Sequence, residues 1–210
     1  MRSSVFGELE RENEYGWWEG QVRLAFFAAY DTVASDVVNE RYKRGAGPPA
    51  AVPQEPDAEN DRPRDQEDEF DLVVEDAAGN GPSQAQERAL LYLKENEESV
   101  CQAVLNSVFD LYARYVEDWR DEVSHRFEPE DLDELLPVLD SPEGLKRLLR
   151  LDSVHVHEFA KDGCAVLQFS FSCAWDDEHG LAVAAHKDTI LGVGDAGEGL
   201  YDGGEEAEDK

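Results

Sequence analysis

The clearest alternation of apolar and polar residues lies in the last third of the chain, in the run CAVLQFSFSCAW at 164–175. One side of this run is apolar and consists of Ala165, Leu167, Phe169, Phe171 and Cys173. A two-residue period is typical of a β-strand that faces the core on one side. Two further apolar runs, at 181–186 and 189–194, are joined at Lys187 and Asp188. The pattern predicts an antiparallel meander at this end of the chain.

A helical period replaces the alternation in the middle of the chain. Ser83 lies three residues before Gln86, which is the spacing of a capping box at a helix start. Asn96 is expected to cap a second helix. Apolar residues recur there every three or four positions: Val100, Val104, Val108, Leu111, Tyr115 and Trp119, flanked by Cys101, Leu105, Tyr112 and Val116. This stripe predicts an amphipathic helix packed on the core, with a partner-binding groove as the alternative.

The N-terminal part combines short strands with a segment that lacks core-forming residues. Ser3–Leu9 and Trp17–Phe27 are predicted as strands, and residues 28–44 suit a helix or a strand. Residues 45–69 are rich in proline and acids and have almost no large apolar side chains, so they are predicted to be a disordered insertion. Phe70–Asp76 then returns to a strand pattern.

The separation of helices from hairpins predicts an α+β fold. An antiparallel sheet, made of the N-terminal strands and the C-terminal meander, is expected to pack against the central helical segment. The single domain would comprise residues 1–44 and 70–194, interrupted by the insertion at 45–69. Residues 195–210 are predicted to form a disordered acidic tail.

The net charge of the chain limits the classes of molecule that it can bind. The chain has 49 acidic and 19 basic residues, a net charge of -30. Glu55–Asp76 has eleven acids against two arginines, and Asp195–Lys210 has seven acids against one lysine. Nucleic acids and anionic membrane surfaces are therefore excluded as partners, because both require clustered Lys and Arg. The negative charge is compatible with a basic protein or a metal cation as the partner. Adaptation to a saline cytoplasm would also explain it. The oligomeric state stays open.

Cysteine usage and hydropathy indicate the compartment. Cys101, Cys164 and Cys173 have no metal-binding spacing, and their odd number is typical of reduced, buried thiols. The first residues lack the apolar stretch of a signal peptide. The longest apolar run, Leu24–Tyr30, is far shorter than the roughly 20 residues that a membrane helix needs. We expect a cytoplasmic protein.

Reactive side chains concentrate in the run CAWDDEHGLAV, which begins at Cys173. Cys173 and His179 could approach each other as a nucleophile and its base. A reactive thiolate needs a positive environment, however, and Asp176, Asp177 and Glu178 would raise the pKa of the thiol. The alternation described above also turns Cys173 toward the core. A cysteine nucleophile is therefore disfavoured.

The same run suits a turn between two strands. Trp175 would end the first strand and cover the sheet edge. Asp176 and Asp177 can begin a turn through Asx hydrogen bonds, and Gly180 can supply a positive φ. His179 would be held by a neighbouring carboxylate or a backbone carbonyl. The candidate binding residues of this turn are Trp175, Asp176, Asp177, Glu178 and His179.

A metal site is the alternative for the same region. His155 and His157 lie two residues apart in an alternating run, so both point to one face of a strand. Together with Glu178 and His179 they would offer four ligands for zinc or iron. Against this stands the common use of such histidine pairs on strand surfaces. Motifs for phosphate or dinucleotide binding and for serine nucleophiles are absent, and no cofactor is predicted.

Several sequence pieces resemble an uncharacterised bacterial domain family of unknown function. The main piece is Trp175–Val183, WDDEHGLAV, which is similar to a Trp-acid-x-Glu-His-Gly-Leu-small-Val signature, followed by a strand ending in Val-x-Gly, here ILGVG. The early WWEG, the helix entry at Gln86–Glu97 and the run LDSVHVH are also similar. The resemblance spans most of the chain except Ala28–Glu69 and the tail. It implies no established activity.

Two classes of function are consistent with these observations. Similar small acidic α+β bacterial domains occur among toxin-immunity proteins, which by analogy suggests a non-enzymatic cytoplasmic protein that binds a basic partner. A metal-dependent enzyme built on His155, His157, Glu178 and His179 is the second hypothesis. The lack of catalytic motifs favours the first, although the sequence does not decide whether the chain is an enzyme.

Overall fold

The computed structural model confirms an α+β fold, in which the central helices pack against a seven-stranded sheet. The structure describes residues 1–11, 16–30, 68–76, 78–125, 132–133 and 136–196, without the side chains of 122, 123, 177 and 178. The strands are β1 Arg2–Ser3, β2 Gly7–Glu8, β3 Glu10–Arg11, β4 Trp18–Arg23, β5 Glu69–Val74, β6 Leu149–Lys161, β7 Cys164–Cys173, β8 Asp176–His186 and β9 Thr189–Asp195. The helices are α1 Gln84–Glu95 and α2 Glu97–Val123, with 3-10 helices at Ala25–Phe27 and Pro142–Arg147.

The large sheet has the order β3-β4-β5-β6-β7-β8-β9, and β1 and β2 form a separate hairpin. Neighbouring strands of the large sheet are antiparallel, as predicted, with one exception. β5 and β6 run parallel, with Asp71 opposite Ser153 and Val74 opposite Val156. Parallel neighbours need a crossover connection, and here α1 and α2 lie between the two strands in the chain.

The C-terminal meander is confirmed. β7 pairs with β6 and β8, and β8 pairs with β9, all antiparallel. The predicted apolar side of β7 is buried in the main core and consists of Ala165, Leu167, Phe169, Phe171 and Cys173. The turn between β8 and β9 falls at Lys187, whose φ is 59°. Period-two alternation therefore located both the strand and its buried face.

The buried face of α2 contains most of the predicted stripe but departs from it in the second half of the helix, at Leu111, Tyr115 and Trp119. Val104, Val108, Tyr112 and Val116 are at most 3% exposed, whereas Tyr115 is 39% exposed. In a helix with 3.6 residues per turn, residues four apart lie on nearly the same side. The row from Val104 to Val116 faces the core. The neighbouring row, which ends with Tyr115 and Trp119, lies at the margin of the core.

The helix starts were predicted with mixed success. The capping box at α1 is confirmed, since the Ser83 side chain accepts from the Gln86 amide and the Gln86 side chain accepts from the Ser83 amide. Asn96 occupies the predicted N-cap position of α2, but its side chain forms no capping bond there. It donates instead to the Tyr92 carbonyl, 2.9 Å away, and so closes the end of α1.

Gln86 also ties α1 to the sheet. Its Nε2 donates to the carbonyl oxygens of Glu75, at 2.8 Å, and Val156, at 3.2 Å. These carbonyls belong to the two parallel strands or their ends, so one amide joins the helix start to both strands. Gln86 is 2% exposed, and its hydrogen bonds compensate for the burial of its polar group.

The predicted N-terminal strands are shorter than expected. The Ser3–Leu9 prediction corresponds to the β1–β2 hairpin, and Trp17–Phe27 divides into β4 and a 3-10 helix. β5 begins at Glu69 and β9 ends at Asp195, so each takes one residue from the predicted insertion or tail. The remaining predictions for 31–67 and 197–210 lie outside the described residues.

Candidate functional site

Cys173 lies in the core, as the alternation predicts. Its side chain is 3% exposed, and its thiol donates to the backbone oxygen of Asp176 at 3.3 Å. A partner molecule would have to displace packed side chains to reach the sulfur. This burial is consistent with a structural role for Cys173.

The turn after β7 lies at Ala174 and Trp175, so the predicted turn residues Asp176–Gly180 form the irregular start of β8 instead. Cys173 pairs with Asp176 and Phe171 pairs with Leu181, so the ladder between these pairs is irregular. Gly180 has a φ of +66°. Asp176 Oδ1 accepts from the His179 amide at 3.0 Å and lies 3.2 Å from the His179 ring Nδ1. The predictions of an Asx bond, a positive φ and a carboxylate that holds the histidine are confirmed.

Trp175 does not cover the sheet edge, contrary to the prediction. Its indole packs on α2, where its ring centroid lies 5.9 Å from that of Trp119 with an 11° angle between the planes. It also lies 4.9 Å from the ring of the buried Tyr112. The sequence could not show this contact, because the tryptophans come from distant parts of the chain.

Tyr115, Trp119 and Trp175 form a continuous patch, here called the aromatic surface. The Tyr115 and Trp119 ring centroids are 5.9 Å apart, and both tryptophans are half-buried. The Arg114 guanidinium carbon lies 5.9 Å from the Tyr115 ring centroid. The patch therefore offers aromatic rings that are held by the core and partly open to solvent.

Acidic side chains are exposed on the elements that carry the aromatic surface. Asp118 lies about one helical turn after Tyr115, Glu117 and Asp121 are exposed elsewhere around α2, and Asp176 follows Trp175 directly. The nearby Arg120 is engaged by its own chain, since it donates to Asp133 and to the carbonyl oxygens of Leu132 and Leu136. An aromatic patch with this surrounding charge favours cations.

The two strand histidines share a face, as predicted, but their partners were not anticipated. His157 Nδ1 lies 2.8 Å from Glu75 Oε1, and Glu75 Oε2 accepts from the Glu158 amide at 2.9 Å. The His155 ring meets Trp17 edge-on, with centroids 6.3 Å apart. The sequence missed Glu75 and Trp17 because they come from other strands or strand ends.

Burial and hydrogen bonding set the charge states here. Burial, followed by repulsion from His157, lowers the pKa of His155, although Glu75 acts in the opposite direction. Burial alone would raise the pKa of Glu75, but the hydrogen bonds from His157 and the Glu158 amide outweigh it and lower that pKa. Within the described part of the chain, the buried His157 Nε2 atom has no hydrogen-bond partner.

The histidines of the metal hypothesis fall into two separate places in the sheet. His155 pairs with Gln168, which pairs with Ala184 on β8. His179 lies before Leu181, near the other end of that strand, and is bonded to Asp176. The described residues contain no group of three or more His, Cys, Asp or Glu that could hold a metal ion. The Glu178 side chain lies outside the description.

Asp76 is a second buried acid that sequence reasoning did not single out. It is 3% exposed and accepts from the Trp18 indole at 2.9 Å, the Asn80 amide at 2.9 Å and the Gly81 amide at 2.7 Å. Burial alone would raise its pKa, but these bonds outweigh burial and lower it. The available signal was an acid shortly before an Asn-Gly pair, which is typical of an Asx turn. Its role is to hold the loop that leads into α1.

Comparison with known families assigns the chain to a family. The family described as Domain of unknown function (DUF6985) matches residues 61–200, two thirds of the chain, and the chain belongs to this family. The matched segment contains β5–β9, both helices and the aromatic surface. No curated protein and no solved structure matches significantly. In the described part, neither helix combines the length with the apolar composition that crossing a bilayer demands.

Proposed function

We propose that this chain is a non-enzymatic protein-binding domain whose aromatic surface receives a basic partner protein. The observation that carries the proposal is the pair of stacked, half-buried indoles of Trp119 and Trp175, extended by the exposed ring of Tyr115. Aromatic side chains held in place by a core supply much of the binding energy of protein interfaces. Trp175 and Asp176 bring the predicted binding turn into this surface.

The net charge of -30 supports a basic partner rather than an acidic one. A strong negative field raises the rate of encounter with a positive protein and repels negative ones. The analogy with small acidic toxin-immunity domains suggests a basic toxin, such as a nuclease, in the cytoplasm as a more specific form of the proposal. A toxin as the partner leads to the same expectation, namely binding that weakens as the salt concentration rises.

The proposal is tested by affinity capture from the cells in which the chain occurs, with bound proteins identified by mass spectrometry. We expect a basic protein that is retained at about 0.1 M salt and released at about 0.5 M, because screening weakens the attraction. Trp119→Ala should lose the partner. Leu91→Ala is the matched control, since Leu91 is an exposed apolar residue on the other helix, and it should retain the partner.

Three results would contradict the proposal that a basic partner binds the aromatic surface. A captured protein that is acidic, or one whose retention does not change with salt, is inconsistent with a charge-directed interface. Equal retention by the Trp119 and Leu91 variants would remove the aromatic surface from the interface. Far-UV circular dichroism of each variant verifies that the comparison is made between folded proteins.

A further inference from the structure

A cation already lies over the aromatic surface within the chain itself. The Arg114 guanidinium carbon is 5.9 Å from the ring centroid of Tyr115, within the distance at which cations are attracted to aromatic faces. Arg11 and Trp18 form a similar pair elsewhere, at 5.6 Å. The stacked indoles next to Tyr115 have no such cation from the described part of the chain. Both indoles are half-buried, so among the described residues each keeps an exposed part that a cation from outside can contact.

The acid next to the indoles has an oxygen that its local turn does not use. Asp176 follows Trp175 in the chain, and both of its bonds to His179 are made by Oδ1. Oδ2 takes part in neither bond. Asp176 Oδ2 is therefore an acceptor that the bonds to His179 leave out, in the residue next to Trp175 in the chain.

We propose that the aromatic surface binds an arginine side chain of the basic partner, with the guanidinium stacked on the Trp119–Trp175 pair and hydrogen-bonded to Asp176. This inference rests on the proposed function and specifies its chemistry. Arginine suits the site better than lysine, because its planar group stacks on a ring and donates along its edge at the same time. A lysine ammonium is a compact, strongly hydrated charge that cannot stack as a plane.

The test uses two peptides of equal length and charge, four repeats of Arg-Gly-Gly and four repeats of Lys-Gly-Gly. Their affinities for the full chain are measured by calorimetry at low salt. We expect the arginine peptide to bind about threefold more tightly than the lysine peptide. Trp119→Leu and Trp175→Leu, which keep apolar volume but remove the aromatic face, should abolish that preference.

A pair of charge-matched variants separates a specific site from a diffuse acidic surface. Asp176→Asn should weaken binding of the arginine peptide about fivefold, since it removes the carboxylate but keeps an oxygen for the His179 amide. Asp188→Asn removes the same charge from the exposed turn at the other end of β8 and should have much less effect. These variants keep the test decisive if the tryptophan variants fail to fold.

The possible outcomes distinguish this inference from the proposed function. Equal affinity for the two peptides, or equal losses with Asp176→Asn and Asp188→Asn, overturns the arginine site but leaves a salt-dependent basic partner unaffected. Loss of the captured partner in the Trp119 variant without any arginine preference in the peptides also overturns the inference alone. Failure of both experiments removes the proposed function as well.

Discussion

At the scale of single residues, Gly180 is a constrained position in the irregular start of β8. Its φ of +66° lies in the left-handed region that favours glycine. A Cβ placed there would lie 2.7 Å from the backbone oxygen of Phe171. The glycine is therefore explained by backbone geometry and close strand contact, independently of any binding by the neighbouring residues.

We predict that Gly180→Ala lowers the free energy of unfolding by about 3 kcal/mol, because strain and a close contact with the backbone act together. The control is Gly7→Ala. Gly7 has a φ of +78°, but its Cβ would meet no atom within 4 Å, so a loss of about 1 kcal/mol is expected. Urea denaturation measures both. Equal losses would show that the contact with Phe171 adds no cost.

At the scale of secondary structure elements, one glutamine links a helix to a parallel strand pair. Gln86 completes the capping box of α1 and donates to the Glu75 carbonyl, just after β5, and to the Val156 carbonyl, within β6. The cap was predictable because it depends on two residues three positions apart. The bonds to the strands were not, because strands that meet after a long crossover leave no local period in the sequence.

We predict that Gln86→Leu lowers the free energy of unfolding by about 3 kcal/mol, because two buried carbonyls lose a donor. Ser83→Ala removes the capping hydroxyl alone and should cost about 1 kcal/mol. Chemical denaturation of the two variants under identical conditions gives the comparison. If the two losses are the same, the bonds from Gln86 to the strands do not contribute to stability.

The candidate site shows the same limit of sequence-based prediction. The shared face of His155 and His157 follows from the period of a strand, and the turn at Asp176 follows from its own residues. Trp175 against α2 and His157 against Glu75 join residues far apart in the chain. Such pairs depend on strand order and helix placement. Local patterns therefore predicted the elements and the turn, but not the aromatic surface.

At the scale of the whole molecule, charge opposes compaction. The net charge of -30 is carried by 210 residues, and many acids are exposed on α2 and the sheet. Repulsion among like charges favours the expanded, unfolded chain at low ionic strength. The same field that would attract a basic partner therefore reduces stability when no partner or salt is present.

We predict that raising sodium chloride from about 0.02 M to about 0.5 M stabilises the folded chain by about 1 kcal/mol, which corresponds to an increase in Tm of about 2–4 °C. The control is the same salt series near the sequence isoelectric point of about 4.3, where the net charge vanishes and Tm should not rise. Differential scanning calorimetry measures both series. A rise of equal size near the isoelectric point would contradict a charge origin.

The chain leaves the sheet at the end of β4 and re-enters it at the start of β5. This point is suited to the insertion of another domain. Arg23 and Glu69 face each other across β4 and β5, and the Leu24 amide donates to the Asp68 carbonyl at 2.9 Å. Both ends of the intervening stretch are thus held at one point, and loop-closure cost grows slowly with length. A reporter domain spliced between residues 31 and 67 would leave strand register unchanged.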